Sequence, residues 1–358
     1  MRNLLFLLGI MVCGQTVRAQ TDPKLIEVAD FGRYQPIGLA VSQDAPGGRI
    51  FVTFPKREPY QYGLAEIVNG QRKPYPDVEW NQWDSLHVRD RFVNVQALFV
   101  DQTNSLWVLD PANPAGYPPF VDGIKLVKIN LKRNEVERVY RFDDLPRDQI
   151  GLNDVQVDSR RQVAYLSDPR RSAIVVLDLA TGKSRTVLQK HVSTSADPNF
   201  RLVIDNKEVI DKSGRPFSSN VNGIALTHDF RYLYYRAINQ TKLYRIDTEL
   251  LQNPNLAPDQ VAAGVEMMGE TGVSHGMIAD RSGNVYLTDS PNKAIRRFTP
   301  ARKLETVVQD DRLLWPDSFG IGPDGYLYVT AAQIQRTPTY NNGQDKVQYP
   351  FRLFKVKL

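Results

Sequence analysis

Residues 153–189 read NDVQVDSRRQVAYLSDPRRSAIVVLDLATGKSRTVLQ, and this stretch carries the pattern that predicts the fold. Four runs rich in apolar residues follow one another with short polar links between them, at 154–158, 163–168, 173–179 and 184–189. Short runs rich in Val, Ile and Tyr, bounded by turn residues, are typical of β-strands joined by hairpins. The stretch therefore predicts an antiparallel sheet of four strands.

The first run of this stretch recurs six times along the chain, and most copies are followed by a turn and a second run that contains Tyr or Trp. The copies are 37–42 (IGLAVS), 96–101 (QALFVD), 153–158 (NDVQVD), 222–227 (NGIALT), 275–280 (HGMIAD) and 317–322 (DSFGIG). Their first residues are 59, 57, 69, 53 and 42 positions apart, a period typical of β-propeller blades. The repeat predicts an all-β fold, a six-bladed β-propeller of four-stranded blades.

A spare apolar run precedes the first copy, at 24–30 (KLIEVAD), whereas the last copy has no obvious fourth strand after 351–357. A propeller has to close its ring in order to remove unpaired strand edges. We therefore expect the N-terminal strand to complete the last blade. The alternative is a short disordered N-terminus.

Residues 1–19 have the features of a secretory signal peptide, with Arg2, an apolar run at 4–12 and a small-residue cleavage site that ends at Ala19. We predict a single propeller domain over 20–358, secreted to the periplasm or out of the cell. Cys13, the only cysteine, leaves lipid attachment as the alternative. The mature chain would have no cysteine, so it would depend on core burial and strand pairing instead of disulfides.

The charge of the chain is modest and its basic residues are scattered. The formal net charge of +5 would fall to +3 on removal of Arg2 and Arg18, and no basic cluster suggests nucleic-acid binding. The apolar run at 4–12 is too short to cross a bilayer, and no nucleotide-binding, serine-hydrolase or zinc-protease motif is present. We expect a small-molecule ligand as the partner, no nucleic acid, no membrane span and a monomeric chain.

Every long link between the predicted strands falls on one face of the propeller, the face where the innermost strand of each blade begins. These links are 80–94, 111–123, 142–152, 191–221 and 331–350. Binding residues concentrate on loops that a rigid scaffold positions. The long-loop face is therefore the predicted functional face.

The residue that opens each copy should point into the central channel at this face. Five of these six residues are polar, and another polar residue stands just before the sixth, Ile37. Buried polar groups need hydrogen-bond partners, so we expect a ligand site formed by Gln35, Gln96, Asn153, Asn222, His275 and Asp317. The alternative is that these side chains bind channel waters and one another and close the barrel end.

The residue types in this ring suggest two kinds of chemistry. His275 titrates near neutral pH and is the candidate catalytic acid or base, with Asn153 and Asn222 stabilising a developing oxyanion. Oxygen atoms of Asn153, Asn222 and Asp317 would suit a hard divalent cation. Asp317 is the only carboxylate in the ring unless Asp154 also turns inward, so we expect no cofactor or a weakly bound divalent cation.

Five stretches resemble the yellow / major royal jelly protein family and cover most of the chain in the right order: 73–81 (KPYPDVEWN), 99–110, 153–168, 222–235 and 315–330. The resemblance implies a secreted six-bladed propeller. The family includes proteins linked to dopachrome conversion, binders of small aromatic amines and nutritive proteins. The family's disulfides would be absent here, because the mature chain would have no cysteine.

The chain is also similar, more distantly, to the senescence marker protein / gluconolactonase group. That group holds a divalent cation in the channel with a Glu, two Asn and an Asp. Asn153 and Asn222 match its two Asn motifs, whereas His275 stands in place of its Asp, and Ile37 or Gln35 in place of its Glu. The loss of both carboxylates argues against a strong metal site.

Taken with these resemblances, the ring predicts a protein that binds a small cyclic or aromatic molecule at the channel mouth and could isomerise it in the manner of a tautomerase. One alternative is a metal-dependent lactonase of the gluconolactonase type. Another is a non-catalytic binder or protein-interaction scaffold, because a propeller fold by itself does not select among these functions.

Overall fold

The computed structural model describes residues 24–44 and 46–358. Within these residues the chain forms six four-stranded antiparallel sheets and one two-stranded hairpin, which confirms the predicted six-bladed β-propeller. The predicted signal peptide, residues 1–19, lies outside the described residues. None of the helices in the described part of the chain is both long and apolar enough to span a bilayer.

The strands are short and follow one another with few helices between them. In chain order they are β1 (Ile26–Asp30), β2 (Leu39–Val41), β3 (Ile50–Thr53), β4 (Leu64–Val68), β5 (Gln71–Pro74), β6 (Ala97–Val100), β7 (Ser105–Asp110), β8 (Lys125–Asn130), β9 (Glu135–Tyr140), β10 (Val155–Asp158), β11 (Val163–Asp168), β12 (Ala173–Asp178), β13 (Ser184–Val187), β14 (Val203–Ile204), β15 (Lys207–Glu208), β16 (Val221–Leu226), β17 (Tyr232–Ala237), β18 (Lys242–Asp247), β19 (Glu266–Glu270), β20 (Met277–Ala279), β21 (Val285–Asp289), β22 (Ala294–Phe298), β23 (Leu304–Gln309), β24 (Pro316–Ile321), β25 (Tyr326–Ala331) and β26 (Arg352–Lys357). The α-helices are α1 (Val78–Asn81), α2 (Thr248–Gln252) and α3 (Pro258–Ala263).

The N-terminal strand closes the ring, as the sequence predicted. The sheet order of the last blade is β1-β26-β25-β24, while the other five blades are each built from four consecutive strands. Strand β1 runs antiparallel to β26, from the pair Ile26 and Lys355 to the pair Asp30 and Arg352. Leu25, just before β1, is buried in the core of this blade. Strand pairing and apolar burial thus join the two ends of the propeller.

Position in the blade explains the hydrophobic pattern of each strand. All four residues of the inner strand β10 are buried, because neighbouring blades cover both of its faces. The outer strand β9 alternates between exposed and more buried residues, as a strand with one solvated face does. The predicted strands of the third blade match the observed bounds to within two residues.

A buried aspartate fixes the long loops of the second blade. The carboxylate of Asp110, at the end of β7, accepts hydrogen bonds from the backbone N–H groups of Val93 at 2.6 Å and Asn94 at 2.9 Å. It also accepts the Ala112 N–H at 2.9 Å and lies 3.3 Å from the ammonium of Lys125. Both charged side chains of this pair are completely buried. One carboxylate therefore holds two loops of the long-loop face against the scaffold.

Neighbouring inner strands approach most closely at the second residue of each copy, a level that we call the contact layer. A Cβ atom added to Gly276 would lie 1.8 Å from the carbonyl oxygen of Asp317 in the next blade. The hydroxyl of Thr330 donates to the carbonyl oxygen of Ile37, also in the next blade, at 2.7 Å. The contact layer therefore packs backbone against backbone and fixes where each inner strand begins.

Replacement of Gly276 by Ala should strain the contact layer, because a backbone carbonyl, unlike a side chain, cannot move away without shifting its strand. We expect a loss of about 3 kcal/mol in the free energy of unfolding, measured by chemical denaturation. The matched control is Ala97→Gly at the equivalent position of the second blade, which should cost about 1 kcal/mol. Equal stability of Gly276→Ala and the original chain would show that the inner strands are not packed this closely.

Candidate functional site

All six predicted site residues lie at the long-loop end of the inner strands. Asn222 and Asp317 lie in β16 and β24, and the other four precede the inner strand of their blade: Gln35, Gln96, Asn153 and His275. Gln35 and His275 are buried, whereas the other four side chains keep partial exposure. We call the space that these residues border, on the loop side of the contact layer, the upper mouth.

Three amide side chains from successive blades border the upper mouth. The Nε2 atom of Gln96 lies 3.4 Å from Oδ1 of Asn153, and Nδ2 of Asn222 lies 3.4 Å from the hydroxyl of Ser219. Contacts of this length are weak hydrogen bonds. The hydroxyl of Ser167 fixes the backbone by donating to the carbonyl oxygen of Asn222 at 2.6 Å. The amides are thus positioned but keep hydrogen-bonding capacity for a ligand.

His275 lies against Trp315 and away from solvent. The ring centroids are 4.0 Å apart with the planes at 18°, and His275 is only 3% exposed. Both imidazole nitrogens are buried and have no hydrogen-bond partner among the described residues. Loss of hydration, together with the nearby charge of Arg236, lowers the pKa of His275 to about 3. The ring is therefore neutral at physiological pH, and its predicted catalytic role stays a prediction.

Trp315 links His275 to Asp317. Its backbone has a φ of 53°, in the left-handed region that a bulky aromatic residue rarely adopts. The indole Nε1 donates to Oδ2 of Asp317 at 3.2 Å, and the Trp315 carbonyl oxygen accepts the N–H of Ala332 at 3.0 Å. Strained residues persist only where their surroundings hold them, and they cluster at functional sites. These contacts hold the indole between the imidazole and the carboxyl group.

Asp317 is the carboxyl group of the upper mouth. It lies deep among protein atoms but keeps part of its surface accessible. Loss of hydration raises the pKa of Asp317 to about 7, although hydrogen bonds from Trp315 and Ser318 and the charge of Arg57 act to lower it. A carboxyl group with a pKa near neutrality can both accept and donate a proton at physiological pH. Asp317 is therefore well suited to acid–base chemistry.

Asp154, the second residue of its copy, turns into the channel at the contact layer and lines the cavity there. Its two carboxylate oxygens accept the backbone N–H groups of Val155 at 2.8 Å and Ile224 at 3.1 Å. Burial, together with the negative charge of Asp317, raises the pKa of Asp154 to about 7, although the hydrogen bonds from the Ile224 and Val155 N–H groups act to lower it. The channel therefore contains a second carboxyl group, at the position where the sequence left its orientation open.

A cavity of about 920 Å³ fills the channel below the contact layer, and we call it the lower cavity. Its inner end is lined by Asp154, Gln156 and Ser318, and its outer end by residues of the short hairpins, among them Gln102 and His228. This space lies toward the face opposite the one that loop lengths predicted to be functional. The channel thus offers two spaces, and the predicted site residues border the upper one.

Two long insertions add an aromatic wall to the upper mouth. Phe217, from 191–221, packs edge-on against Trp315 with ring centroids 5.5 Å apart. Tyr340, from 331–350, packs against Phe217 with centroids 6.0 Å apart. The upper mouth therefore combines an aromatic side with a polar side.

Sequence reasoning missed Arg57, which lies in the loop after β3. Its guanidinium donates a hydrogen bond to Oε1 of Gln35; loss of hydration lowers its pKa, and the nearby Asp317 carboxylate acts in the opposite direction. Loops carry no periodic pattern, so position in the repeat could not single out this residue. The one available signal was a basic residue shortly after a buried strand, on the side of the long loops.

The predicted metal ligands supply only oxygen atoms of two amides and one carboxyl group. Among residues 24–44 and 46–358, no three His, Cys, Asp or Glu side chains come together as a metal site. A cation held by Asn153, Asn222 and Asp317 would need water to complete its shell. The divalent cation therefore stays a prediction.

Replacement of His275 by Phe removes two buried polar atoms without partners and keeps a planar ring beneath Trp315. Each such atom costs about 1–3 kcal/mol, so His275→Phe should be at least as stable as the original chain in thermal denaturation. The control His275→Ala leaves a cavity and should lose about 3 kcal/mol. A large loss of stability in both variants would indicate that the imidazole nitrogens have partners in solution.

Comparison with solved structures agrees with the fold. The gluconolactonase of Xanthomonas campestris superposes with a TM-score of 0.56 at 10% identity, over 94% of this chain and 90% of that one. A likeness at this identity shows the fold alone.

Sequence relatives come from the honeybee. Major royal jelly protein 1 of Apis mellifera is 23% identical over 259 residues, which cover 68% of this chain and 57% of that protein. Major royal jelly protein 3 of the same species is 20% identical over 341 residues, covering 85% and 60%. The chain thus spans about three-fifths of the length of these relatives. Residues 93–358 match the family described as major royal jelly protein, and the chain belongs to that family.

Proposed function

We propose that this protein is a secreted propeller that binds a small cyclic or aromatic molecule in the upper mouth and isomerises it by acid–base chemistry, as a tautomerase does. The observation that carries the proposal is the pairing of an aromatic wall with a partly exposed polar ring. Phe217 and Tyr340 are partly exposed and pack beside the buried Trp315, and the amides of the polar ring have only weak partners. Secretion rests on the signal-like sequence at 1–19.

Asp317 is the base in this proposal. Its pKa of about 7 suits proton transfer at physiological pH, whereas the pKa of His275, about 3, makes the imidazole a weak base, and Trp315 covers it. The Asp317 carboxylate would take a proton from the carbon next to a carbonyl group. The C–H electron pair then forms a C=C bond, and the carbonyl oxygen becomes an enolate that is protonated to the enol. Asn153 and Asn222 can donate to that oxygen.

Phenylpyruvate is a suitable probe because it is a small aromatic molecule whose keto and enol forms interconvert and absorb differently in the ultraviolet. We expect the chain to accelerate this interconversion above the buffer rate, and Asp317→Asn to lower kcat/KM by about 100-fold, as loss of a general base does. Since the base must be ionised, kcat/KM should rise with pH through about 7 and level off above it.

Two further variants test whether the effect is specific to Asp317. Asp148→Asn makes the same change at an exposed loop position and should leave the rate unchanged. His275→Phe should also leave the rate unchanged. If His275→Phe instead loses activity without losing stability, the base is His275. Binding of phenylpyruvate without turnover would favour a non-catalytic binder, and absence of both would contradict the proposed function.

One observation favours a second candidate, a metal-dependent lactonase. Asp154 adds a carboxyl group to the channel near Asp317. Burial disfavours the charged form of both groups and raises the pKa of each to about 7, and a bound cation would offset that cost. Asn153, Asn222 and Asp317 would hold the ion, with Asp154 close by. A divalent cation at such a site activates a water molecule and polarises a carbonyl group.

Metal content separates the two candidates. We expect elemental analysis of protein purified without chelator to find less than one divalent ion per chain, and EDTA to leave Tm unchanged, because three oxygen ligands with one carboxylate bind weakly. A stoichiometric metal and a lower Tm in EDTA would favour the lactonase. In that case Asp317→Asn should abolish the EDTA effect, and Asp148→Asn should not.

A further inference from the structure

Arg57 has more hydrogen-bond donors than partners. A guanidinium carries five N–H donors, and the one side-chain acceptor recorded for Arg57 is Oε1 of Gln35. Within the described part of the chain, no carboxylate oxygen lies within 4.0 Å of Arg57 as an ion pair. Loss of hydration among the surrounding protein atoms lowers the pKa of Arg57, although the residue itself is exposed. Arg57 is therefore a cation that borders an open space.

Gln35 is a fixed and neutral partner. Its Nε2 donates to the carbonyl oxygen of Ala332, so its Oε1 has to face Arg57. A neutral amide oxygen satisfies one donor and leaves the positive charge uncompensated. Asp317 faces Arg57 at longer range, and its own pKa of about 7 leaves it only partly ionised at neutral pH.

The buried Arg236 shows what a purely structural guanidinium looks like in this fold. Arg236 donates from all three nitrogens, to the hydroxyl of Thr271 and to the carbonyl oxygens of Ala237, Gln240 and Gly272. It has no accessible surface. Arg57 is different in both respects, because its donors are mostly unused and its surface is open.

The residue before Arg57 holds the loop in place. The Lys56 ammonium lies 4.6 Å from the ring centroid of Tyr60 and 4.7 Å from that of Trp83, in two cation–π contacts. The backbone N–H of Lys56 donates to Oδ1 of Asn94 at 2.7 Å. Lys56 therefore anchors the loop on its outer side while Arg57 faces the upper mouth. The guanidinium is positioned before a ligand arrives, which lowers the entropic cost of binding.

We infer that the ligand of the upper mouth is an aromatic or cyclic organic acid whose carboxylate pairs with Arg57. Guanidinium binds planar carboxylates through two parallel hydrogen bonds, and the spare donors of Arg57 provide them. The inference rests on the proposed function, because the ring of the ligand lies against the exposed parts of Phe217 and Tyr340. The ligand is thus an anion, and Arg57 is the residue that selects for its charge.

Three probes of similar size and different charge test this inference: phenylpyruvate, which is an anion, phenylacetone, in which a methyl group replaces the carboxylate, and phenethylamine, a cation. Binding is measured by isothermal titration calorimetry at low ionic strength. We expect phenylpyruvate to bind at least 10-fold more tightly than phenylacetone, and phenethylamine to bind most weakly.

Substitutions of Arg57 separate its pairing from its charge. Arg57→Met should abolish the preference for phenylpyruvate and leave the affinity for phenylacetone within about 2-fold, whereas Arg57→Lys, which keeps the charge but loses the planar fork, should retain part of the preference. The matched control Arg89→Met removes an exposed arginine from the same face and should retain all of it. Melting curves of each variant confirm that it is folded.

The outcomes distinguish this inference from the proposed function. Equal affinities for phenylpyruvate and phenylacetone, tighter binding of phenethylamine, or equal loss of preference in Arg57→Met and Arg89→Met would overturn the carboxylate inference and leave the aromatic site intact. Failure of all three probes to bind would overturn the proposed function, and the inference with it.

Discussion

The close approach of neighbouring inner strands at the contact layer is the constraint on which the channel depends. With Gly276 at this level, the backbone of one blade can reach the Asp317 carbonyl oxygen of the next, and the hydroxyl of Thr330 bridges the first and last blades. Side chains above this level turn into the upper mouth, whereas Asp154 and Ser318 at this level, and side chains below it, line the lower cavity. The propeller thereby has two chemically distinct spaces on one axis.

Burial beside the contact layer sets the electrostatics of both spaces. Removing a carboxyl group from water favours its neutral form, and so the pKa values of Asp154 and Asp317 rise to about 7. The same loss of hydration acts in the opposite direction on an imidazole, and the pKa of His275 falls. The imidazole is therefore neutral at physiological pH, whereas the two carboxyl groups have pKa values near neutrality.

The upper mouth is completed by loops that charged side chains hold in place. Asp110 and Lys125, both fully buried, fix the loops of the second blade, and Lys56 anchors the loop that presents Arg57. A buried ion pair of this kind adds little to stability by itself, but removing one partner is costly. Loop geometry at the upper mouth is therefore built into the scaffold.

The sequence by itself determined the six blades, their strand bounds to within a few residues, the closing strand 24–30 and the location of the polar ring, because these follow from local alternation of apolar and turn residues repeated along the chain. It also predicted that Asp317 belongs to this ring, and it left open whether Asp154 turns inward. Only the tertiary structure decided that Trp315 covers His275, that Asp154 turns into the lower cavity and that Arg57 faces the upper mouth. These outcomes depend on burial and on contacts between loops far apart in the chain, and neither leaves a periodic signal in the sequence.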